Sequence, residues 1–334
     1  MPSAKYAHLH ENVQGPGDAR PTAQQIISDD SLEGKLADKT MLITGCSSGI
    51  GIETARSLSS TGATLFLTAR NIPKAESALK EILEPGRVEL VEMEMESLSS
   101  VNAAAEDVRR RCNGRLNVLI CNAGVMAIPE LTKTKDGFET QFGVNHLAHF
   151  LLFNRLNDLL LKSSTPTFNS RVVILSSSGH RGSGIKVDDY GFEKPGNEYG
   201  SFKAYGQSKT ANIYMANEIE RRYGARGLHA NSVNPGGIHT GLQTYVPADV
   251  QEQWWKWKGV KSLEQGAATT VLAAVAKDWE GVGGKYLEDC QEAGKLVQVG
   301  LPSAPGYVPH AFDEGLEKKL WVDSLGMVGL EDDN

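Results

Sequence analysis

Short apolar runs alternate along the chain with longer stretches in which apolar residues recur at helical spacing. The runs that predict strands are the one beginning at Met41, then Thr64–Thr68, Arg87–Met93, Leu116–Cys121, Arg171–Leu175, Leu228–Asn234 and Gly284–Leu287. Helical spacing is found in Ile50–Ser60, Leu98–Cys112, Gly137–Leu160 and Leu263–Ala276. This alternation predicts a single doubly wound α/β domain around a parallel sheet of about seven strands, with Gly284–Leu287 at its edge.

The first strand ends in a turn rich in glycine and serine that leads into a helix. Its residues are Gly45, Ser47, Ser48, Gly49, Ile50 and Gly51. Glycine permits positive φ and close approach of the backbone, and the N-terminus of the following helix favours an anion. The turn therefore predicts a pyrophosphate site, although its G-x-x-x-G-x-G spacing differs from the commoner dinucleotide fingerprint and also fits a plain strand-to-helix turn.

Tyr205 and Lys209 are four residues apart in a helical segment. This spacing places the phenol and the ammonium on one helical face, about one turn apart. A neighbouring cation favours the phenolate, so we expect the pKa of Tyr205 to move from its usual value near 10 toward neutral pH. A Tyr–Lys pair on a helix surface would have the same spacing, and the remaining motifs decide between the two readings.

Several motifs together resemble those of the short-chain dehydrogenase/reductase family. They are T-G-x-x-x-G-I-G, Asn122-Ala-Gly124 after a strand, a serine cluster at Ser176–Ser178, and Y-x-x-x-K. The match covers roughly Lys39 to Asp289. The sequences TGCSSGIG, LTARN, AYGQSK and NPGG resemble the retinol-dehydrogenase-like branch, which includes fungal oxidoreductases of secondary metabolism. The resemblance implies a Rossmann fold and hydride transfer with a nicotinamide cofactor.

The resemblance assigns four catalytic residues. Tyr205 exchanges a proton with the substrate oxygen, Ser177 hydrogen-bonds that oxygen, and Lys209 lowers the pKa of the tyrosine and holds the nicotinamide ribose. Asn145 anchors a relay water. Ser178 is the alternative to Ser177. His146 and His149 lie on the same helix as Asn145, and we interpret them as packing residues because no third metal ligand at suitable spacing accompanies them.

The cofactor is expected to be NADP(H). No acid follows the second strand, where one would bind the ribose of NAD, and Arg70 there can pair with a 2′-phosphate. An exposed arginine that merely ends the strand is the alternative. The resemblance adds Glu94 and Met95 at the adenine, with Glu94 in place of the usual aspartate. It also adds Asn122, Ala123 and Gly124 near the ribose, with Asn122 also tying strands together, and Pro235, Gly236, Ile238 and Thr240 beside the nicotinamide.

Composition narrows the possible partners. The 334 residues carry a net charge of −7, which disfavours nucleic acid or an anionic membrane surface as a partner. No run approaches the roughly 20 apolar residues of a membrane span. The four cysteines show no paired metal spacing, so we expect free thiols, no metal site and a soluble, cytoplasmic protein.

Three segments flank or interrupt the predicted domain. Residues 1–38 are polar and are expected to be a partly ordered extension, with a short surface helix near Ala23–Ile27; a flap over the cofactor and an oligomer contact are alternatives. Residues 241–260 contain Trp254, Trp255 and Trp257 and predict a substrate lid, with a packed surface helix or an oligomer or membrane contact as the alternatives. Residues 291–334 predict a tail with one short helix.

These features predict an NADP(H)-dependent oxidoreductase that interconverts a carbonyl group and an alcohol on a bulky, apolar small molecule. The branch points to secondary-metabolite biosynthesis, and a homo-oligomer is compatible with the sequence. Two other functions share the fold: a non-catalytic NADP(H)-binding regulator and a non-redox step. A regulator has no need of Asn145, Ser177, Tyr205 and Lys209 together.

Overall fold

A computed structural model describes residues 4–297 and 304–332, and the parts of the predicted extension and tail beyond these ranges lie outside the described residues. The strands are β1 Thr40–Ile43, β2 Thr64–Ala69, β3 Val88–Glu92, β4 Val118–Cys121, β5 Ser170–Leu175, β6 Leu228–Asn234, β7 Tyr286–Glu288 and β8 Gln291–Glu292. The helices are α1 Ala23–Asp29, α2 Ile50–Ser59, α3 Ile72–Leu79, α4 Leu98–Arg111, α5 Thr140–Phe142, α6 Ala148–Ser163, α7 Ser201–Tyr223, α8 Ala248–Trp255, α9 Leu263–Gly266, α10 Ala268–Val275 and α11 Glu314–Met327.

The strands form one sheet in the order β3-β2-β1-β4-β5-β6-β7-β8. The pairs from β3 through to β7 are all parallel, and only β8 joins antiparallel. The predicted Rossmann fold is therefore confirmed. The prediction that Gly284–Leu287 forms the edge is wrong, because the chain turns back after β7 and adds β8 outside it. The order reverses between β1 and β4, where ligands bind in such sheets.

Two apolar layers cover the two faces of the sheet. In β1, Leu42 packs into the layer formed with α4, α6, α7 and α11, whereas Met41 and Ile43 pack into the layer formed with α1, α2 and α10. This alternation follows from the two-residue period of a strand. Burial on both faces explains why the central strands read as nearly continuous apolar runs.

The N-terminal extension differs from the sequence prediction, because it is packed rather than partly ordered. Ile26 and Ile27 on α1 are fully buried against α2 and α10. The Thr22 hydroxyl caps this helix by accepting from the Gln25 backbone N–H at 3.1 Å. Tyr6 is buried as well, and its hydroxyl donates to Asp29 at 2.9 Å. Two adjacent isoleucines and an aromatic ring supply enough apolar surface to hold the extension on the domain.

The C-terminal helix α11 belongs to the main core. The Trp321 ring meets the Phe150 ring edge-on, with 4.8 Å between centroids. Glu317 accepts a hydrogen bond from the Asn217 side chain at 2.7 Å. The tail forms one α-helix within the described residues, and this helix packs against α6 and α7.

All four cysteines are free and buried. Within residues 4–297 and 304–332, no helix combines the length and apolar character needed to cross a bilayer.

Candidate active site

A cleft of about 1450 Å³ opens at the carboxyl ends of the central strands. Every predicted cofactor-binding residue lines it, together with Ser177 and the three tryptophans of residues 241–260. Asn145 is the exception among the predicted site residues, because it lies behind the cleft wall. The sheet therefore brings together residues that are up to about 200 positions apart in the sequence.

The glycines of the first turn are required mainly by the protein's own packing. Gly45 has φ +74°, and a Cβ there would lie 2.8 Å from the Cα of Ala123. A Cβ on Gly51 would lie 2.4 Å from the carbonyl oxygen of Gly45. Gly49, with φ +62°, is the N-cap of α2. The turn is thus pressed onto the strand end at residues 122–124 and leaves the N-terminus of α2 facing the cleft.

Thr44 and His149 connect this turn to the helix that carries Asn145. The Thr44 hydroxyl accepts from the backbone N–H groups of Asn122 and Ala123, both at 2.9 Å, and contacts Nε2 of His149 at 2.8 Å. Nδ1 of His149 lies 3.0 Å from the backbone carbonyl of Asn145. Burial lowers the pKa of His149 to about 4, so the ring is neutral, with Nδ1–H as donor and Nε2 as acceptor. His149 is therefore a packing residue with both nitrogens satisfied.

Asn145 lies in a π-helical turn, Gly143–Leu147, between α5 and α6. Its side-chain oxygen accepts from the Val125 backbone N–H at 2.8 Å, and its amide nitrogen donates to the Val125 carbonyl and the Ser208 hydroxyl, both at 2.9 Å. The amide thus fixes the strand exit at Val125 against α7. Its role in holding a relay water stays a prediction.

Tyr205, Ser177 and Lys209 meet at the cleft floor. The Ser177 hydroxyl lies beside the Tyr205 ring, since a Cβ on Gly179 would contact both, and it accepts from the Gly179 backbone N–H at 3.0 Å. A Cβ on Gly179 would lie 2.7 Å from the Tyr205 ring, so this glycine makes room for the phenol. Lys209 Nζ lies 5.6 Å from the ring centroid and donates to the Leu175 carbonyl at 3.0 Å.

The expectation that the pKa of Tyr205 moves toward neutral pH is wrong for this structure. Burial raises the pKa of Tyr205 to about 12, and the hydrogen bond with Ser177 opposes that rise only in part. Burial also lowers the pKa of Lys209 to about 8. Desolvation disfavours the charged form of both groups and is the largest cause of both shifts. At pH 7 the phenol is consequently neutral and holds a proton that it can donate.

Arg70 follows β2 at the far end of the cleft and is well exposed, with 69% of its side chain accessible. Its guanidinium lies 3.7 Å from carboxylate oxygens of both Glu94 and Glu96. Arg70 therefore has two ion-pair partners, but these exposed ion pairs hold its guanidinium only weakly. The exposed Lys74, one turn into α3, lines the same part of the cleft.

Residues 241–260 form one wall of the cleft. Trp254 and Trp257 remain 36% and 44% exposed although both line it. The Trp254 ring lies 6.1 Å from the Phe202 ring, and the Trp255 ring lies 4.5 Å from that of His239. A wall of half-exposed aromatic rings offers apolar surface to a ligand.

Several lining residues were not found from the sequence: His10, Val13, Arg20, Lys74, Met126, Phe202, Lys261, Glu288 and Asp289. None belongs to a local motif. Residues 10–20 in particular reach the cleft only because the N-terminal extension packs across α2 and α10. Tertiary proximity of this kind has no signal in the spacing of the sequence.

Comparisons with known proteins agree with this geometry. A family model described as short chain dehydrogenase matches residues 39–251. The chain is 50% identical over 332 residues to short-chain dehydrogenase/reductase prx1 of Penicillium roqueforti, covering 98% of this chain and 96% of that protein. It is 36% identical over 314 residues to retinol dehydrogenase 14 of Mus musculus, covering 89% and 88%. A solved structure of an uncharacterised Mycobacterium paratuberculosis protein matches with TM-score 0.65 and 33% identity, covering 88% of this chain and 94% of that one.

Proposed function

Because this chain belongs to the short-chain dehydrogenase family, we propose that it is an NADP(H)-dependent oxidoreductase that interconverts a carbonyl group and an alcohol. The observation that carries the proposal is the buried, neutral Tyr205 phenol, which lies beside Ser177 and has Lys209 one helical turn away. Such an arrangement suits general acid catalysis at a carbonyl oxygen.

The proposed mechanism in the direction of reduction uses three side chains directly. NADPH, when bound, would supply the hydride for the carbonyl carbon. Tyr205 donates its phenolic proton to the carbonyl oxygen, while the Ser177 hydroxyl hydrogen-bonds that oxygen. The Lys209 ammonium stabilises the phenolate that remains, since opposite charges attract strongly in a buried site. Asn145 fixes the backbone at Val125 behind the site, and we assign it the relay water.

We assign the successive groups of NADP(H) to residues along the cleft, beginning at the adenosine end. Arg70 and Lys74 would contact the 2′-phosphate, with Glu94 and Met95 at the adenine. The turn at residues 45–51 would hold the pyrophosphate through the N-terminus of α2. Asn122, Ala123 and Gly124 would meet the ribose, and Pro235, Gly236, Ile238 and Thr240 would flank the nicotinamide. No acid follows β2, which supports NADP(H) over NAD(H).

The substrate is proposed to be a bulky, apolar ketone or aldehyde, or the corresponding alcohol. The support is the wall formed by Trp254, Trp257 and Phe202, to which Met126 and Leu242 add aliphatic surface. Resemblance to the fungal branch supports a role in secondary metabolism. We also propose that the enzyme is soluble and acts in a reducing compartment, because its four cysteines are free.

A screen of NADPH and NADH oxidation across ketones and aldehydes of increasing size tests this function. We expect NADPH to be preferred and bulky carbonyl compounds to have the higher kcat/KM. Turnover that persists at the wild-type rate in Tyr205→Phe would contradict the proposed mechanism. Tight cofactor binding with no turnover of any carbonyl compound or alcohol would instead favour a binding regulator.

A further inference from the structure

The N-terminal extension carries a buried arginine that lines the cleft and contacts residues 259–260. Arg20 is 3% exposed and lines the cleft. Its guanidinium donates to the carbonyl oxygens of Gly259 and Val260, both at 2.7 Å, and to that of Gly15 at 3.0 Å. Its Nε donates to the Asp18 carboxylate at 2.8 Å. We call residues 14–20 the N-terminal clasp and residues 259–265 the junction segment.

Gln265 forms a second set of hydrogen bonds between the clasp and the junction segment. Its side-chain oxygen accepts from the Gly17 backbone N–H at 3.0 Å. Its side-chain nitrogen donates to the backbone carbonyls of Asp18 and Arg20, both at 3.1 Å. The same oxygen accepts from the Ser262 N–H and so caps α9. The start of α9 is therefore built partly from the clasp.

The Asp18 carboxyl group in the clasp stays deprotonated near neutral pH. Burial raises the pKa of this carboxyl, but hydrogen bonds from Arg20 and the backbone N–H of Gln14 outweigh burial and hold the pKa well below its usual range. Asp18 consequently stays ionised at neutral pH and pairs with the planar Arg20 guanidinium, which binds several carbonyl and carboxylate oxygens at once.

The junction segment also contacts the turn at residues 236–237, which is assigned to the nicotinamide. The Lys261 backbone N–H donates to the Gly237 carbonyl at 2.8 Å. The Lys261 side chain packs over Gly236, where a Cβ would lie 3.1 Å from Nζ, and its ammonium pairs with Asp289 at 2.7 Å. Gly259 packs beneath the Trp257 ring.

We propose that Arg20 is a positioning residue that acts through Gly259 and Val260 to hold both the turn at residues 236–237 and the base of the tryptophan wall. The N-terminal extension is thereby part of the active-site architecture. The expected effect on turnover rests on the proposed function, whereas the expected effect on local structure does not.

Hydrogen exchange and steady-state kinetics on the full chain test this role with Arg20→Met and Arg20→Lys. Tyr6→Phe is the matched control, because it removes a hydrogen bond of the same extension that does not reach the cleft. In Arg20→Met we expect at least tenfold faster exchange at the Lys261 amide, with unchanged exchange in the central strands. We also expect the KM for the carbonyl substrate to rise about tenfold, with a smaller change in kcat. Arg20→Lys should recover part of both effects, and Tyr6→Phe should show neither.

Unchanged exchange at the Lys261 amide in both Arg20 variants would overturn the proposal, as would faster exchange spread equally over the whole sheet. If Arg20→Met does not fold, the Arg20→Lys variant tests the proposal, because lysine keeps the positive charge but lacks the several N–H donors of the guanidinium. If the wild type turns over no carbonyl compound, the proposed function fails while the exchange comparison still decides the positioning role.

Discussion

Tyr205 and Lys209 lie one helical turn apart, and burial moves their pKa values in opposite directions, to about 12 and about 8. The Y-x-x-x-K spacing predicts that the two residues are neighbours. It cannot predict the direction of the shift for Tyr205, because that depends on how much water the folded chain removes from the phenol. The same limit applies to Arg70, whose carboxylate neighbour Glu96 is 26 positions away in the sequence.

The proton-transfer role of Tyr205 predicts the behaviour of Tyr205→Phe. Removing the phenolic oxygen removes the general acid, which is worth about 10²- to 10⁴-fold in rate. We expect kcat to fall by this factor while the Kd for NADPH changes only a few fold, as measured by single-turnover kinetics and fluorescence titration. Ser178→Ala is the control, since Ser177 rather than Ser178 lies beside the phenol at Gly179, and this variant should retain most activity.

Burial of Lys209 predicts a pH-dependent stability difference between the wild type and Lys209→Met. The lysine binds its proton up to pH 10.5 in the unfolded chain but only up to about pH 8 in the folded one. Between these values the unfolded state binds more protons, so the free energy of unfolding of the wild type rises with pH. We expect a rise of up to about 1.4 kcal/mol per pH unit relative to the variant. Urea unfolding at pH 7.5 and pH 10 measures it, and a difference independent of pH would contradict the assignment.

Arg70 and Glu96 should have opposite effects on cofactor choice. Arg70→Ala removes the proposed partner of the 2′-phosphate and should weaken NADPH binding about tenfold, the lower end for a charge-assisted contact because the guanidinium is exposed. NADH binding should change little. Glu96→Gln should strengthen NADPH binding, because it removes a carboxylate that competes for Arg70. Calorimetric titration of the three proteins with both cofactors measures these effects, and equal losses for NADPH and NADH in Arg70→Ala would refute the role.

At the scale of elements, the sequence pattern predicts the main strands and helices and both terminal helices, but not how the N-terminal extension packs. The strands β1 to β6 and the helices α2, α4 and α6 follow the apolar period of the sequence. The extension reads as polar, yet Ile26 and Ile27 anchor it, because two buried side chains can be enough to dock a short helix. The Arg20 contacts lie about 240 positions from their partners, so no local pattern could indicate them.

The tryptophan segment offers the clearest element-scale prediction. If residues 241–260 form a lid, replacing Trp254, Trp255 and Trp257 by alanine should lower kcat/KM for bulky substrates and leave NADPH affinity and melting temperature nearly unchanged. Their partial exposure supports this, since few protein contacts would be lost. Hydrogen exchange over the segment should slow when substrate binds, because substrate supplies apolar surface that offsets the cost of ordering.

Trp321→Ala provides the control for this experiment. That ring is buried against Phe150 and Phe153, far from the cleft, and its truncation should cost about 3–5 kcal/mol of stability without changing substrate preference. A comparable loss of melting temperature in the triple tryptophan variant would assign residues 241–260 to the core rather than to a lid.

At the scale of the whole molecule, one cleft collects motifs from β1, β2, β4, β5, β6 and α7. A parallel sheet places the carboxyl ends of its strands at one edge, so the fold class alone predicts that these motifs meet. The second wall of the cleft, made by the extension and the tryptophan segment, depends on packing that is specific to this chain. The chemistry was thus accessible from the sequence, whereas the shape of the substrate site was not.

Transfer of deuterium from NADPH deuterated at both C4 positions to a carbonyl substrate tests the central claim most directly. Mass spectrometry of the alcohol formed from the best ketone or aldehyde of the screen would measure it. The account predicts one deuterium on the carbinol carbon with the wild type and a 10²- to 10⁴-fold slower transfer with Tyr205→Phe. An alcohol product without deuterium, or equal rates of transfer by the two proteins, would contradict it.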